Sequence, residues 1–409
     1  MSELTVERLG HLGDGIAAGP VFVPRCLPGE RVEGEIDAGR MAAPRILTPS
    51  PHRVAPPCPH YGACGGCSVQ HADDAFVAAW KLGIVRTALE AQGLETEFRP
   101  PHLSPARSRR RAVFSAKRTR KGALVGFHGR ASATLTDVPG CAVIAPGLQA
   151  VRPAIAEMAL CGGSRKGELS VTVTACEAGP DIAVSGGKPL DLPLRSALAE
   201  IAERHGIARL SWQDEIVALR AAPVQRFDGI AVTPPPGAFL QATAEGEAAL
   251  RAAVCDAVGD ARHVADLFAG CGTFALPLAR QAEVHAVEGA AALTEALAAG
   301  WRGASGLKRV TVETRDLFRR PLQPEELARF DALVIDPPRA GAAAQMAQIA
   351  ASRPGRIAAV SCNPVTFARD AARLVAGGFR LDWVQLVDQF RWSAHVELAA
   401  RFSRDHIGA

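Results

Sequence analysis

The sequence predicts an α/β protein: a C-terminal doubly wound, Rossmann-like parallel sheet over residues 234–409, a central α+β unit over 47–233, and a small N-terminal β-barrel over 1–46. Three observations carry this. Beyond Pro234-Pro235-Pro236, apolar runs of strand length alternate with helical patterns, which implies a parallel sheet holding ligands at the carboxyl ends of its strands. The first 46 residues instead show short alternating strands separated by Gly10, Gly13, Gly15, Gly19 and Gly29, the texture of a small barrel. Between the two, a proline-rich connector from Pro49 to Pro59 leads into mixed strands and helices without a repeat or low-complexity tract.

Composition narrows the class. The chain is 48% hydrophobic and 22% charged, as expected of a globular protein, and no apolar run approaches the ~20 residues needed to span a bilayer. Met1-Ser2-Glu3-Leu4 opens without the basic region and apolar core of a signal peptide, so a cytoplasmic monomer without membrane or protein partner is expected. In a reducing compartment, ten cysteines point to metal or catalysis rather than disulfides.

Taking the chain in order, Leu4-Thr5-Val6, Val21-Phe22-Val23 and Val32 to Ile36 supply the barrel strands, which suit either an oligonucleotide-binding barrel or a structural cap. Next comes Cys58-x5-Cys64-x2-Cys67, interleaved with Gly62, Gly65 and Gly66. A pair two residues apart can chelate one metal, and glycines let the backbone fold tightly around it. The best fourth thiol is Cys141, in the turn Val138-Pro139-Gly140-Cys141. Zinc and an iron–sulfur cluster both accept four thiolates, and one close pair with two outlying cysteines leans toward the cluster. Phe76, Val77, Trp80, Ile84, Val85, Ala88 and Leu89 mark an amphipathic helix from Asp73 to Gln92, closed by Gly93, which can pack on the C-terminal sheet. Arg107, Arg109, Arg110, Arg111, Lys117, Arg118, Arg120 and Lys121 then crowd into a predicted hairpin. A cationic face of that density favours a phosphate backbone, the bland alternative being a solvated surface.

The C-terminal strands are predicted at His263–Phe268, Glu283–Glu288, Val310–Glu313, Ala332–Ile335, Ile357–Val360, Leu381–Leu386 and Val396–Phe402. The first runs into Asp266-Leu267-Phe268-Ala269-Gly270-Cys271-Gly272-Thr273, a glycine turn opening a helix. Glu288 ends the next strand, where a carboxylate can hold ribose hydroxyls; the third glycine of a pyrophosphate loop is missing, which favours adenosylmethionine over NAD. Two neighbouring strands end in Asp336-Pro337-Pro338-Arg339 and Ser361-Cys362-Asn363-Pro364. A thiol at a strand end and near a helix N-terminus is expected to have a lowered pKa and to be exposed, as a nucleophile requires. Glu397, which taken alone reads as a surface carboxylate, can reach the same crevice.

Together these residues resemble the RNA 5-methyluridine methyltransferases, which use adenosylmethionine. The resemblance spans nearly the whole chain and rests on the four cysteines, Phe239-Leu240-Gln241, the Asp266 loop, Asp336-Pro337-Pro338-Arg339, Ser361-Cys362-Asn363-Pro364 and His395-Val396-Glu397. It implies a class I methyltransferase domain after a TRAM-like barrel, with Cys362 as nucleophile and Glu397 as the base removing the uracil C5 proton. It further implies a cofactor site lined by Gln241, Phe268, Thr273, Glu288, Asp316 and Asp336, and a [4Fe–4S] cluster on Cys58, Cys64, Cys67 and Cys141. The tRNA branch of that family generally lacks the cluster cysteines, so the resemblance favours 23S ribosomal RNA over the T-loop of tRNA. Thr273 stands where the family often has asparagine, and the barrel is short. An amino-group methyltransferase would use the Asp-Pro-Pro turn but leaves Cys362 idle, and an iron–sulfur RNA-binding protein without catalysis would leave both Cys362 and Glu397 idle.

Overall fold

The computed structural model describes residues 1–404. The N-terminal strands are β1 (Ser2–Leu9), β2 (Gly15–Ala17), β3 (Val21–Val23), β4 (Arg31–Gly34) and β5 (Arg45–Thr48), in the order β3-β2-β1-β4-β5. Their buried faces share one small core of Val6, Ala17, Val23, Val32 and Met41. The amides of Phe22 and Met41 exchange with Gly39 and Phe22 carbonyls at 2.9 and 3.0 Å, tying the β3 edge to the turn before β5. β5 crosses the expected boundary at residue 46 because Arg45-Ile46-Leu47-Thr48 still pairs with β4 before Pro49 ends the ladder.

Helix α1 (Asp74–Glu90) is capped by Asp73, whose side chain accepts the Phe76 amide, and is followed by β6 (Glu97–Leu103). The central unit then comprises β7 (Arg111–Thr119), β8 (Gly122–His128), β9 (Leu135–Asp137), α2 (Pro146–Ala150), α3 (Arg152–Gly162), β10 (Leu169–Thr174), β11 (Asp181–Ser185), α4 (Leu192–Arg204), β12 (Arg209–Trp212) and β13 (Glu215–Leu219). Its seven strands run β13-β12-β11-β10-β7-β8-β9, and α3 and α4 share a core with them that includes the fully buried Trp212. Gly162 and Gly187 lie flat against that indole: a Cβ on Gly187 would stand 2.0 Å from Trp212 Cζ2. Gly187→Ala is therefore expected to destabilise the protein by about 1–3 kcal/mol through overpacking, read as a lowered melting temperature.

The remainder is β14 (Gln225–Phe227), β15 (Ile230–Val232), α5 (Ala244–Val258), β16 (His263–Leu267), α6 (Ala275–Leu278), β17 (Glu283–Glu288), α7 (Ala291–Arg302), β18 (Val310–Thr314), α8 (Pro324–Leu327), β19 (Ala332–Ile335), α9 (Ala343–Ala350), β20 (Arg356–Ser361), α10 (Pro364–Ala376), β21 (Arg380–Asp388) and β22 (Leu398–Ser403). The large sheet is ordered β18-β17-β16-β19-β20-β22-β21-β6 and is parallel except for β22. Strands such as Ala332-Leu333-Val334-Ile335 are buried throughout because helices cover both faces. Chain order reverses between β16 and β19, which opens a crevice at their carboxyl ends.

One assignment needs correcting. β6, which lies in the sequence range given to the central unit, pairs in parallel with β21; α1, the helix described above as able to pack on that sheet, sets Val85 and Leu89 into its core beside Phe367 and Leu374. Pro100 and Pro101 argue against a strand from sequence, yet an edge strand tolerates proline, and β6 is the edge. Among the described residues no helix is long and apolar enough to cross a membrane.

Candidate active site

The turn after β16 is built for close approach. Phe268 adopts φ +62°, Gly270 +55° and Gly272 +101°, and a Cβ on Gly272 would press within 2.8 Å of Leu276. Glu288, at the end of β17, is held in place by accepting the Gly270 amide at 3.1 Å and the Ala290 amide at 3.0 Å. Beyond β18, Asp316 caps its own turn through the amides of Phe318 and Arg319, and Phe318 meets Phe268 with ring centres 5.4 Å apart. Thr273 sits in the same turn, between Gly272 and the start of α6. Asp266 is fully buried, no side chain bonds its carboxylate, and the Ala275 amide at the start of α6 is the one backbone group that bears on it. Burial, then the charge of Asp336, pushes its carboxyl well above the usual range. A buried carboxylate without a side-chain partner beside a glycine turn is the polar feature that a cationic ligand group satisfies, and the residues present fit adenosylmethionine in this respect.

The reactive groups meet at the ends of β19 and β20. Asp336 follows β19, and burial pushes its carboxyl up to about 7. Cys362 follows β20 and is half-buried. Asn363 caps α10 by accepting the Val365 amide at 3.1 Å and donates to the Arg339 carbonyl at 3.0 Å, so it ties the Asp336-Pro337-Pro338-Arg339 loop to the thiol's helix. Glu397 is 3% exposed, immediately ahead of β22, and burial followed by the charge of Asp336 raises its carboxyl well above its ordinary value. Gln241 Nε2 faces Asp336 Oδ2 at 3.4 Å, and Gln389 Nε2 donates to both Gln241 Oε1 and, at 3.3 Å, Glu397 Oε2.

The expectation of a lowered thiol pKa is overturned. Burial, then the carboxylates of Glu397 and Asp336, pushes Cys362 up to about 11, with Arg339 opposing. The helix N-terminus does not compensate because Asn363 already takes its first amides.

Cys58, Cys64, Cys67 and Cys141 line one cavity of about 520 Å³ together with Tyr61, Arg109, Arg130 and His395. All four are free thiols, and burial pushes Cys67 up to about 12. Gly65 has no room for a side chain, since a Cβ would stand 2.6 Å from the Arg130 amide. Among the described residues no three histidine, cysteine or acidic side chains converge closely enough to hold a single metal ion.

The cationic stretch divides in two. Arg110 forms an ion pair with the buried Glu247, Arg111 donates to the Ala238 and Gly237 carbonyls at 3.1 Å each, and Arg109 bonds the Arg111 carbonyl at 3.0 Å. Arg110 and Arg111 thus staple the start of β7 to residues 237–247 rather than facing a ligand, whereas Arg109 lines the cysteine cavity. Lys117, Arg120 and Lys121 remain exposed at the β7–β8 turn.

A doubly wound sheet with an acidic, glycine-turned cofactor edge at its switch point defines a class I methyltransferase. Residues 303–404 match the tRNA (uracil-5-)-methyltransferase family profile. An RNA methyltransferase of Rhizobium meliloti is 45% identical over 98% of this chain and 99% of its own, and the 23S rRNA (uracil(1939)-C(5))-methyltransferase RlmD of Pectobacterium atrosepticum is 32% identical over 98% and 93%. The fold is similar to that of Pyrococcus abyssi tRNA (uracil-54, C5)-methyltransferase, solved with S-adenosyl-L-homocysteine, at a TM-score of 0.76 and 21% identity over 98% and 99% of the two chains. The chain belongs to the RNA (uracil-5-)-methyltransferase family, enzymes that take their methyl group from S-adenosylmethionine.

Sequence reading missed Asp266 as a site residue and missed Gln389 altogether. The first left a signal, a carboxylate inside an otherwise apolar strand. Gln389 left none, because its partners lie 148 and 8 residues away.

Proposed function

We propose that this enzyme methylates C5 of a uridine in 23S ribosomal RNA through a covalent adduct between Cys362 and uracil C6, with Glu397 removing the C5 proton. The observation that carries this reading is the placement of a thiol and a buried carboxylate at one strand-end crevice, close enough that the charge of Glu397 acts on Cys362. Uracil C5 is too weak a nucleophile to take a methyl unaided. Cys362 loses its proton to solvent and adds to C6 as the thiolate; the C5–C6 π pair shifts onto C5 and makes that carbon nucleophilic. Adenosylmethionine supplies the electrophilic methyl. Glu397 then takes the C5 proton, the C5–C6 double bond re-forms, and the Sγ–C6 bond breaks. A carboxylate whose pKa is raised by burial is a stronger base for that step. Gln241, Phe268, Thr273, Glu288, Asp316 and Asp336 hold the cofactor in this reading.

Similarity to a 23S enzyme over nearly the whole chain supports ribosomal RNA; the tRNA specificity of the fold relative favours the T-loop as the second reading. Incubating the enzyme with labelled cofactor and separate 23S and tRNA substrates, then digesting the RNA, tests both: 5-methyluridine only in tRNA overturns the ribosomal assignment. A methylated exocyclic amine overturns the chemistry.

Cys58, Cys64, Cys67 and Cys141 fit a [4Fe–4S] cluster. What supports this reading is four unpaired thiols lining one cavity, the number of thiolates such a cluster takes. The cluster would be a structural anchor. Anaerobically purified protein is expected to be brown with about four irons per chain; one colourless zinc overturns this.

The exposed cations at the β7–β8 turn and, separately, the five-stranded N-terminal sheet as a TRAM-like domain are the RNA-binding elements in this reading. Neutralising Lys117 or Lys121 is expected to lower the slope of log K against log salt by about one unit. An unchanged slope for both marks the turn as a solvated face. Such an enzyme acts in the cytoplasm, where its RNA is assembled.

A further inference from the structure

Lys81 is fully buried, a rare position for a lysine, and no step above uses it. It lies on α1, yet its Nζ stands 2.8 Å from Asp388 Oδ1 and donates to the Phe390 carbonyl at 3.2 Å. Asp388 Oδ1 also accepts the Phe390 amide at 2.9 Å, so one cation and one carboxylate clamp both ends of the turn 388–390 at the end of β21. The residue inside that turn is Gln389, 2% exposed.

The polarity of Gln389 follows from one unambiguous donor. A backbone N–H can only donate, and that of Ala242 points at a Gln389 side-chain atom 2.7 Å away, which must therefore be Oε1. The amide nitrogen is then fixed on the other side, where it meets Gln241 Oε1 and Glu397 Oε2. With its oxygen engaged, Gln241 must present its own nitrogen to Asp336 Oδ2. The chain of donors runs in one direction, from Ala242 through Gln389 to the two acidic groups.

We propose that Gln389, clamped by the Lys81–Asp388 pair, is the positioning residue that aims the Glu397 carboxylate at the C5 proton and holds it in its anionic form until that proton is taken. This rests on Glu397 being the base. Burial and the charge of Asp336 oppose the ionisation of Glu397, and Gln389 alone favours it; Glu397 and Asp336 in turn act on the Cys362 thiol, with Arg339 opposing them. Lys81 is neutralised locally by Asp388 and works through the turn. Deleting the Gln389 donor leaves the anion buried against the charge of Asp336 with nothing to offset it, so ionisation moves to higher pH.

The test uses the full-length enzyme with its RNA and adenosylmethionine, in three variants: Gln389→Met, the double variant Lys81→Met/Asp388→Leu, which leaves no lone buried charge, and Glu397→Gln as reference. Single-turnover methyl transfer and the release of methylated RNA from its denaturation-resistant adduct are followed from pH 6 to 9. Glu397→Gln is expected to stall as adduct at every pH. Gln389→Met and the double variant are expected to transfer methyl but release RNA roughly ten- to a hundredfold more slowly at neutral pH. The release midpoint should move to higher pH and the rate should recover in alkali. A general loss of packing would not move that midpoint. A wild-type release rate and midpoint in either variant, alongside a stalled Glu397→Gln enzyme, overturns the positioning role while the base stands. A Glu397→Gln enzyme that releases normally overturns the base assignment and the inference with it.

Discussion

The Cys362→Ala enzyme is expected to bind RNA and adenosylmethionine yet form neither 5-methyluridine nor a denaturation-resistant adduct, with turnover lowered by a factor on the order of 10⁴ or more, as when a covalent nucleophile is removed. The pH dependence of the wild type follows from the same residue. With the thiol pushed up to about 11, only about one molecule in 10⁴ carries the thiolate at pH 7 before ligands bind. Because the thiolate is the reactive form, alkylation of Cys362 in the free enzyme, taken as the difference between wild type and Cys362→Ala, should rise nearly tenfold per pH unit between 7 and 9. Alkylation already at its plateau at pH 7 would mean that the crevice carboxylates are neutralised without RNA. Full activity in Cys362→Ala would overturn the covalent mechanism outright.

The raised thiol shows where sequence reading stops. Apolar runs ending in Asp336-Pro337-Pro338-Arg339 and Ser361-Cys362-Asn363-Pro364 are local patterns, so their strands and the crevice they share could be read directly, and β17 and β19 have the expected bounds. The electrostatics could not, because the pKa of Cys362 depends on Glu397 and Asp336, brought in by the antiparallel return of β22 and by β19. The arginines of β7 failed for the same reason. Arg110 and Arg111 look like a phosphate-binding face until their partners, Glu247 and the carbonyls of Gly237 and Ala238, arrive from more than 120 residues away. Lys81 is the extreme case: an amphipathic helix pattern places it on α1, but nothing local predicts that it is buried against a turn 309 residues on. Local periodicity encodes elements; the polarity of a site is written in long-range pairs.

Glu397→Gln separates the two halves of the reaction. The amide cannot take a proton from C5, so the variant should add Cys362 to C6, transfer the methyl, and stop, because the thiolate cannot be eliminated while that proton remains. The enzyme should accumulate as a denaturation-resistant complex with methylated RNA that requires both Cys362 and adenosylmethionine, at close to one RNA per enzyme, with steady-state turnover lowered by about 10²–10⁴. Stability provides the control. A carboxyl whose folded pKa lies above its unfolded value binds more protons in the folded state, so its ionisation lowers stability as pH rises from the unfolded value of about 4 through the folded one. Glu397 is such a group, buried beside Asp336. Its neutral amide replacement should therefore melt at a higher temperature than wild type at pH 8, and the advantage should shrink toward pH 5, where the native side chain is itself protonated. An inactive Glu397→Gln protein that is less stable at pH 8 and forms no adduct would have lost its crevice rather than its base. One that turns over normally would leave Cys362 as nucleophile and assign proton removal to Asp336, the remaining carboxyl in contact with Gln241.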